Sequence, residues 1–287
     1  MSTATQARPE PGASPARSTG PRRGRLPVDP LRIGVAWIWI SVIVLLPIAA
    51  IVGKSFDDGL GGFWSALTTK GALEALGITV WVSLVVALIN VVLGTLIAWV
   101  LVRDDFPGKG LVNAIIDLPF ALPTIVASIV LLSLYGPDSP VGLKLNATQP
   151  ALVIALAFVT LPFVVRQVQP VLLELDHEVE EAAASLGASN AVILRRVILP
   201  TLAPAILSGA GLAFTRAIGE FGSVVLVGGN IPGKTQVASQ YIQQQIEADD
   251  NTSASVVSVA LLLIAFVMLF VMRYFGSRAA KREENAA

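Results

Sequence analysis

Residues 180–200 read EEAAASLGASNAVILRRVILP, a soluble island between two apolar segments, and the rest of the chain is read outward from it. Val179, Ala182, Ala183 and Leu186 fall at i, i+3, i+4 and i+7, one narrow apolar stripe at helical spacing. Glu178, Glu181 and Ser185 take the opposite face. Asp176 has the chemistry of an N-cap, and acids in the first turns suit the positive end of a helix dipole. Gly187 stands where a left-handed residue would end that helix. Ser189 can cap a second helix that carries Ile193 and Val197 on one side and Arg195 and Arg196 near its end. Leu199-Pro200 is expected to bend the chain back into apolar sequence. Two short helices at an angle, with a shallow face of alanines, suit the groove of another protein.

Composition sets the solvent. Hydrophobic residues make up 54% of the 287 and charged residues 14%, with a mean hydropathy of +0.72. A soluble domain carries about 25% charged residues, so the expected class is an all-α integral membrane protein. The net charge of zero argues against a nucleic-acid partner. No cysteine is present, which removes disulfides and thiolate metal sites. The lone His177 sits among acids and reads as a solvated side chain rather than a ligand, and no cofactor is expected.

Six apolar runs are long enough to cross a bilayer of about 30 Å as helices. They cover about 33–52, 75–102, 111–134, 151–168, 201–227 and 255–272. The third contains the two-proline string Leu118-Pro119-Phe120-Ala121-Leu122-Pro123-Thr124, tolerated where neighbours satisfy the freed carbonyls. Residues 228–254 read as a polar, glutamine-rich outer segment, and the sixth run reads as lipid-facing. The domain reading is a disordered basic cytoplasmic tail over 1–32, a six-helix transmembrane domain over 33–275 with a cytoplasmic loop at 176–200, and a cytoplasmic tail over 276–287. Placing both termini in the cytoplasm puts fifteen of the twenty Lys and Arg inside and four outside, as the positive-inside rule requires. Gly228 to Thr235 ends in Gly-Lys-Thr, but Gly228 is read as one residue too early for the motif's first glycine, Gly229 follows no strand, and the string falls in an outer loop, so it is not read as a phosphate loop.

The fifth run is rich in small residues, which permit close helix contact or leave room beside a path. Arg216 and Glu220 lie near its middle, one helical turn apart. Charge at mid-membrane costs roughly 2.5–3.5 kcal/mol per residue and therefore faces a bundle interior or a wet cavity. Two readings stand together. The pair neutralises itself and locks the helix into the bundle, or Arg216 compensates an anion on a path while Glu220 holds its rotamer.

The string Glu181-Ala182-Ala183, three residues, Gly187, nine residues, Val197, one residue, Leu199-Pro200 resembles the EAA loop of permease subunits of bacterial ATP-binding-cassette (ABC) importers, with Val197 where that family usually has isoleucine. The resemblance implies a type I importer permease fold and makes Glu181, Ala182, Ala183, Gly187, Leu199 and Pro200 the residues that couple to an ATPase. The string from Arg216 to Val225, with Gly219-Glu220-Phe221-Gly222 inside it, resembles permeases for sulfate and thiosulfate, and more distantly those for molybdate. Gly229 to Thr235 and the LPFALPT string match the same group, over about residues 33 to 280. Path residues are then Arg216, Glu220 and Phe221. The implied partners are two copies of an ABC ATPase, a second homologous W-type permease subunit, an extracytoplasmic sulfate-binding protein and membrane lipid. ATP hydrolysis is expected on the partner, not on this chain. The alternatives are a molybdate or tungstate permease, which is usually shorter at its N-terminus, and a secondary anion transporter, which would show ionisable relays in several helices and often internal repeats. A membrane enzyme would need a constellation of nucleophile, base or metal ligands that one histidine and no cysteine do not supply.

Overall fold

A computed structural model of the chain describes residues 30–284. Residues 1–29 of the expected basic tail, and 285–287 of the closing one, lie outside the described residues. The chain divides into two units after Pro47, and every element among the described residues is helical.

In the first unit α1 (Pro30–Ile40) leads into a five-residue π-helical turn, Ser41–Leu45, and α2 (Leu46–Ser55) begins there. The Leu46 amide reaches back to the Ser41 carbonyl, five residues away. Pro47 has no amide to give and its ring presses on the carbonyl four residues back, so a wider turn just ahead of it relieves the clash. Trp37 and Trp39 are exposed, in keeping with an interfacial role.

The second unit holds α3 (Gly59–Leu67), α4 (Lys70–Arg103), α5 (Lys109–Ala121), α6 (Thr124–Tyr135), α7 (Gln149–Glu174), α8 (His177–Ser185), α9 (Asn190–Ile193), a π turn at Leu194–Ile198, α10 (Leu199–Ile218), α11 (Ala238–Glu247) and α12 (Asn251–Glu284). Among the described residues five helical spans are long and apolar enough to cross a membrane, or six if α5 and α6 count as one broken span. The fold is that of an all-α integral membrane protein.

The centre is α7. Its apolar stretch is 56% buried, against 22% for α12, which fits the lipid-facing reading of the latter. Val164 of α7 is 0% exposed and is approached from both sides by glycines. A Cβ at Gly94 of α4 would lie 2.8 Å from Val164 Cβ, and one at Gly209 of α10 would lie 2.9 Å from Val164 Cα. No side chain fits at either position, so the backbones touch. Four residues earlier in each of α4 and α7 the pair is pinned by polar groups. Asn90, fully buried, donates to Thr160 Oγ1 at 2.8 Å and to the Ala157 carbonyl at 3.3 Å. Interhelical hydrogen bonds of this kind are worth about 0.6–2 kcal/mol in a bilayer.

Three expectations are corrected. The 111–134 run is not one helix, because α5 and α6 are bent by 114° at their junction. Leu122 is extended, the conformation imposed on a residue before proline, so the helix stops and restarts at Thr124. The fifth run ends at Ile218 rather than 227. There the Glu220 carboxylate accepts from the Ser223 amide at 3.0 Å, a local bond that competes with helix propagation. The following turns are held by Ser128 of α6, whose hydroxyl accepts from the Leu226 and Val227 amides at 3.1 and 3.2 Å. Finally, the 228–254 segment contains α11, which packs Ala238 and Tyr241 against Ala72, Ala75 and Leu76 of α4 and Val257 of α12. Its first amide, Ala238, is capped by Thr79 of α4 at 2.7 Å. Separately, α12 runs on through Glu284.

The Gly228–Thr235 string does carry GxxxxGKT spacing, but it cannot act as a phosphate loop. No strand precedes it, and the amides of Lys234, Thr235 and Gln236 all turn back on the Ile231 carbonyl at 3.1, 2.9 and 3.0 Å. A phosphate loop needs such amides free for its ligand.

Gly209→Val should lower the thermal midpoint of the purified protein in detergent, since overpacking a close contact costs about 1–3 kcal/mol. Gly77→Ala, where an added Cβ meets nothing within 4 Å, should leave it unchanged or raise it slightly. Equal melting of the two variants would remove the close α7–α10 approach as a determinant of stability.

Candidate functional site

The 176–200 stretch folds as two helical pieces around a tight cap. Asp176 accepts from the Glu178 amide at 2.9 Å and starts α8 as an N-cap. Gly187 ends it with φ at +87°, its amide bonding the Ala184 carbonyl at 2.9 Å while the Ala188 amide bonds the Ala183 carbonyl at 3.1 Å. These are the two bonds of a Schellman cap, and the left-handed residue between them favours glycine. Ser189 stands at the start of α9 but its hydroxyl makes no cap bond. Leu199-Pro200 does not bend the chain. The helix is continuous over Asn190–Ile218, and the strain of Pro200 is absorbed by the π turn, in which the Leu199 amide reaches the Leu194 carbonyl.

What the stretch presents is small and apolar. Glu181 and Ala182 are exposed, Ala183 is half-buried against the core that includes Ile193 and Ile198, and Leu199 and Pro200 are exposed. Leu186 is 90% exposed and Val179 51%.

The opposite side is anchored. Arg103, at the end of α4, pairs with Glu180, holds His177 Nδ1 at 2.9 Å from its Nη1, and stacks over the Trp99 ring at 5.3 Å. His177 is therefore a partner of Arg103 rather than a free solvated side chain. Sequence reasoning missed this clamp because nothing local links residues 103 and 180. Trp99 one turn before Arg103 is the single signal, and it names no partner.

A second pair was also missed. Arg166 lies within α7, not in a loop, and grips Asp117 of α5 with two bonds, Nε to Oδ1 at 2.8 Å and Nη2 to Oδ2 at 2.6 Å. It also reaches Asn113 Oδ1 at 3.1 Å and the Asn113 carbonyl at 3.2 Å. This fork holds the first half of the broken span against the central helix, and it lowers the count of loop cations on that side by one.

Arg216 and Glu220 do come together. Arg216 Nη1 lies 2.6 Å from Glu220 Oε2, with side-chain exposures of 40% and 2%. Glu220 sits beyond the end of α10, where Ser223 binds its other carboxylate oxygen and the Ser239 hydroxyl binds its carbonyl at 2.9 Å. The carboxylate is fixed from two sides and the Glu220 backbone from a third, while the Arg216 side chain stays partly open. Such a pair leaves net donor capacity on Arg216 for an anion. Phe221, next in the chain, lines a cavity together with Gln240, Gln243 and Gln244 of α11. Gly222 abuts Thr124 and Ile125 at the start of α6, so an added Cβ would lie 2.9 Å from the Ile125 amide nitrogen. Among the described residues no group of three or more His, Cys, Asp or Glu is placed to hold a metal ion.

Comparison with known proteins accounts for this architecture. Residues 90–281 match the family described as binding-protein-dependent transport system inner membrane component. The sulfate transport system permease protein CysT of Synechocystis sp. is 43% identical over 262 residues, covering 86% of this chain and 92% of that protein. Its counterparts of the same name in Salmonella typhimurium and Escherichia coli are each 38% identical over 264 residues, covering 90% of this chain and 95% of theirs. Among solved structures, a bacterial ABC transporter involved in the import of the acidic polysaccharide alginate superposes with a TM-score of 0.72 at 15% identity, covering 86% of this chain and 94% of that one. The MetNI methionine ABC transporter in an inward-facing conformation gives 0.54 at 19%, covering 74% of this chain and 99% of that one. The structural likenesses carry the fold, that of ABC importer permeases, and the family match carries the multi-pass inner-membrane setting. The chain belongs to the family of inner membrane components of binding-protein-dependent transport systems.

Proposed function

We propose that this chain is the permease subunit of an ATP-driven importer that carries sulfate, with thiosulfate as a second cargo, across the plasma membrane. The observation that carries the reading is the open turn at Asp176–Pro200, anchored on one side by Arg103 and offering Glu181, Ala182 and Leu186 on the other. It supports docking of a separate ATPase, in two copies for a pair of permeases. The cargo follows from relatives whose name is sulfate permease and from a half-open arginine beside a buried carboxylate.

The geometry supplies a route for work. The π turn and α10 continue the second coupling helix without interruption from Asn190 to Ile218, so the docking loop and Arg216 sit on one rod. Arg196 and Arg216 are then about 30 Å apart at 1.5 Å per residue, the thickness of the hydrocarbon core. Displacement of the loop by nucleotide binding on the ATPase moves Arg216 relative to α6 and α7, and thereby opens or closes its access to an anion. Arg103 passes the same displacement to α4. The companions are a W-type permease subunit, an extracytoplasmic sulfate-binding protein and surrounding lipid. Both termini and the 176–200 loop lie in the cytoplasm in this reading, an orientation that agrees with fourteen loop and tail cations inside against four outside once Arg166 is assigned to α7.

Labelled sulfate uptake, measured in cells lacking and regaining this chain, should be restored by it, abolished by vanadate and competed by thiosulfate far better than by molybdate. Preferential competition by molybdate would make it a molybdate permease, and vanadate-resistant uptake a secondary transporter. Arg216→Ala should cut uptake at least tenfold while the complex still co-purifies with its ATPase, and unchanged uptake would eliminate Arg216 from the path. Gly187→Ala forces a side chain into a left-handed backbone at a cost of about 1–2 kcal/mol. It should lower cargo-stimulated hydrolysis several-fold, with Gly187→Asn milder. Full stimulation in the alanine variant would dismiss the capped turn as the coupling element.

A further inference from the structure

Beside Phe221, the residue that follows Glu220, lies a cavity of about 250 Å³ lined by Phe221, Val225, Asn230, Gln240, Gln243, Gln244 and Glu247. The four residues from α11 fall at i, i+3, i+4 and i+7, so one whole face of that helix is given to the cavity while Ala238 and Tyr241 pack on the other. Three of the four are amides. A helix face of glutamines beside an apolar bundle is not explained by packing.

Gln240 is the informative one. It is 2% exposed, and its Oε1 accepts the Val237 amide at 3.2 Å, which fixes the amide's orientation. Its Nε2 is buried and has no hydrogen-bond partner among the described residues. A buried donor left without an acceptor costs about 1–3 kcal/mol, so the position calls for an oxygen-bearing ligand. Gln236 donates to Gln244 Oε1 at 2.6 Å, which commits the oxygen of Gln244 and leaves its NH2 as a second donor on the same face. The wall therefore offers amide N–H groups against an apolar back of Phe221 and Val225.

We infer that this amide-lined cavity is a binding station on the permease for the tetrahedral oxyanion in transit, with Gln240 as its buried donor; the inference rests on the sulfate reading of the cargo. Neutral amides hydrogen-bond a dianion without trapping it by charge. Glu247, held by Gln243 at 2.8 Å, adds a like charge to the same wall and weakens binding further. A site on a path must bind well enough to be entered and loosely enough to be left. Phe221 and Glu220 are consecutive, and Ser239 ties the start of α11 to the Glu220 carbonyl, so the station and the Arg216 pair share one piece of backbone. The oxyanion would pass from amide donors to the open guanidinium.

The test is equilibrium binding of radiolabelled inorganic sulfate to the purified permease–ATPase complex in nanodiscs, without the extracytoplasmic binding protein. Gln240→Glu keeps an oxygen for the Val237 amide and replaces the free NH2 with a second oxygen. Wild type should bind saturably at millimolar concentration, and Gln240→Glu at least tenfold more weakly at an unchanged thermal midpoint. If that variant melts early, Gln244→Leu at an exposed position takes its place and should weaken binding several-fold. Binding unaltered in the variants, or no saturable binding to a wild-type complex that transports sulfate, overturns the station. Absence of sulfate transport by the wild-type complex with all its partners would instead overturn the cargo reading.

Discussion

Val164 sits where three helices meet with no space for a side chain on either neighbour, and the arrangement of the bundle follows from that contact. Lipid tails are as apolar as leucine, so burial in the usual sense gives helices little reason to associate within a bilayer. Attraction comes instead from close approach, and close approach needs glycine on one side of each pair. Gly94 and Gly209 provide it, and α7 becomes the axis against which α4 and α10 are set. The buried Asn90–Thr160 bond then fixes the register of α4 on α7, since any slip would strand an amide in hydrocarbon. Helix α12, with most of its apolar surface open, can vary without disturbing this centre.

On that frame charge is placed by the same economy. Arg166 is spent on Asp117 and Asn113, and Arg103 on Glu180 and His177. Both are structural clamps with their donors largely engaged. Arg216 differs, because its carboxylate partner is itself held by Ser223 and its side chain remains 40% exposed. A cation so placed is positioned without being satisfied. That difference separates it from the other intramembrane arginine more clearly than its depth does.

The capped turn at 176–200 was legible in the sequence because everything that defines it is local. An N-cap acid, a stripe at helical spacing and a glycine at the stop lie within a dozen residues, and each acts on its own neighbours. The six apolar runs were legible for the same reason. Pairings were not, since Arg166 with Asp117 and Arg103 with Glu180 join residues far apart in the chain and no periodicity connects them. The 114° break was hidden because proline before position 124 is equally compatible with a kink, and only the nesting of Gly222 against Thr124 and Ile125 decides for a sharp turn. The early end of α10 was hidden by a carboxylate whose bond to Ser223 competes with the helix. The face of α11 was there to be read at Gln240, Gln243, Gln244 and Glu247, but the segment was read for its polarity and not for its periodicity.

Two π turns occur among the described residues, and each ends two residues before a proline, at Pro47 and Pro200. A π turn carries one residue more than an α turn, so it advances everything beyond it by about 100° of azimuth. At Leu194–Ile198 that extra residue lies between the exposed knuckle and the rod that bears Arg216. The compass bearing of the knuckle relative to that rod is thus written into one surplus residue. Excising a single amino acid there would leave both ends well formed yet aim them past each other.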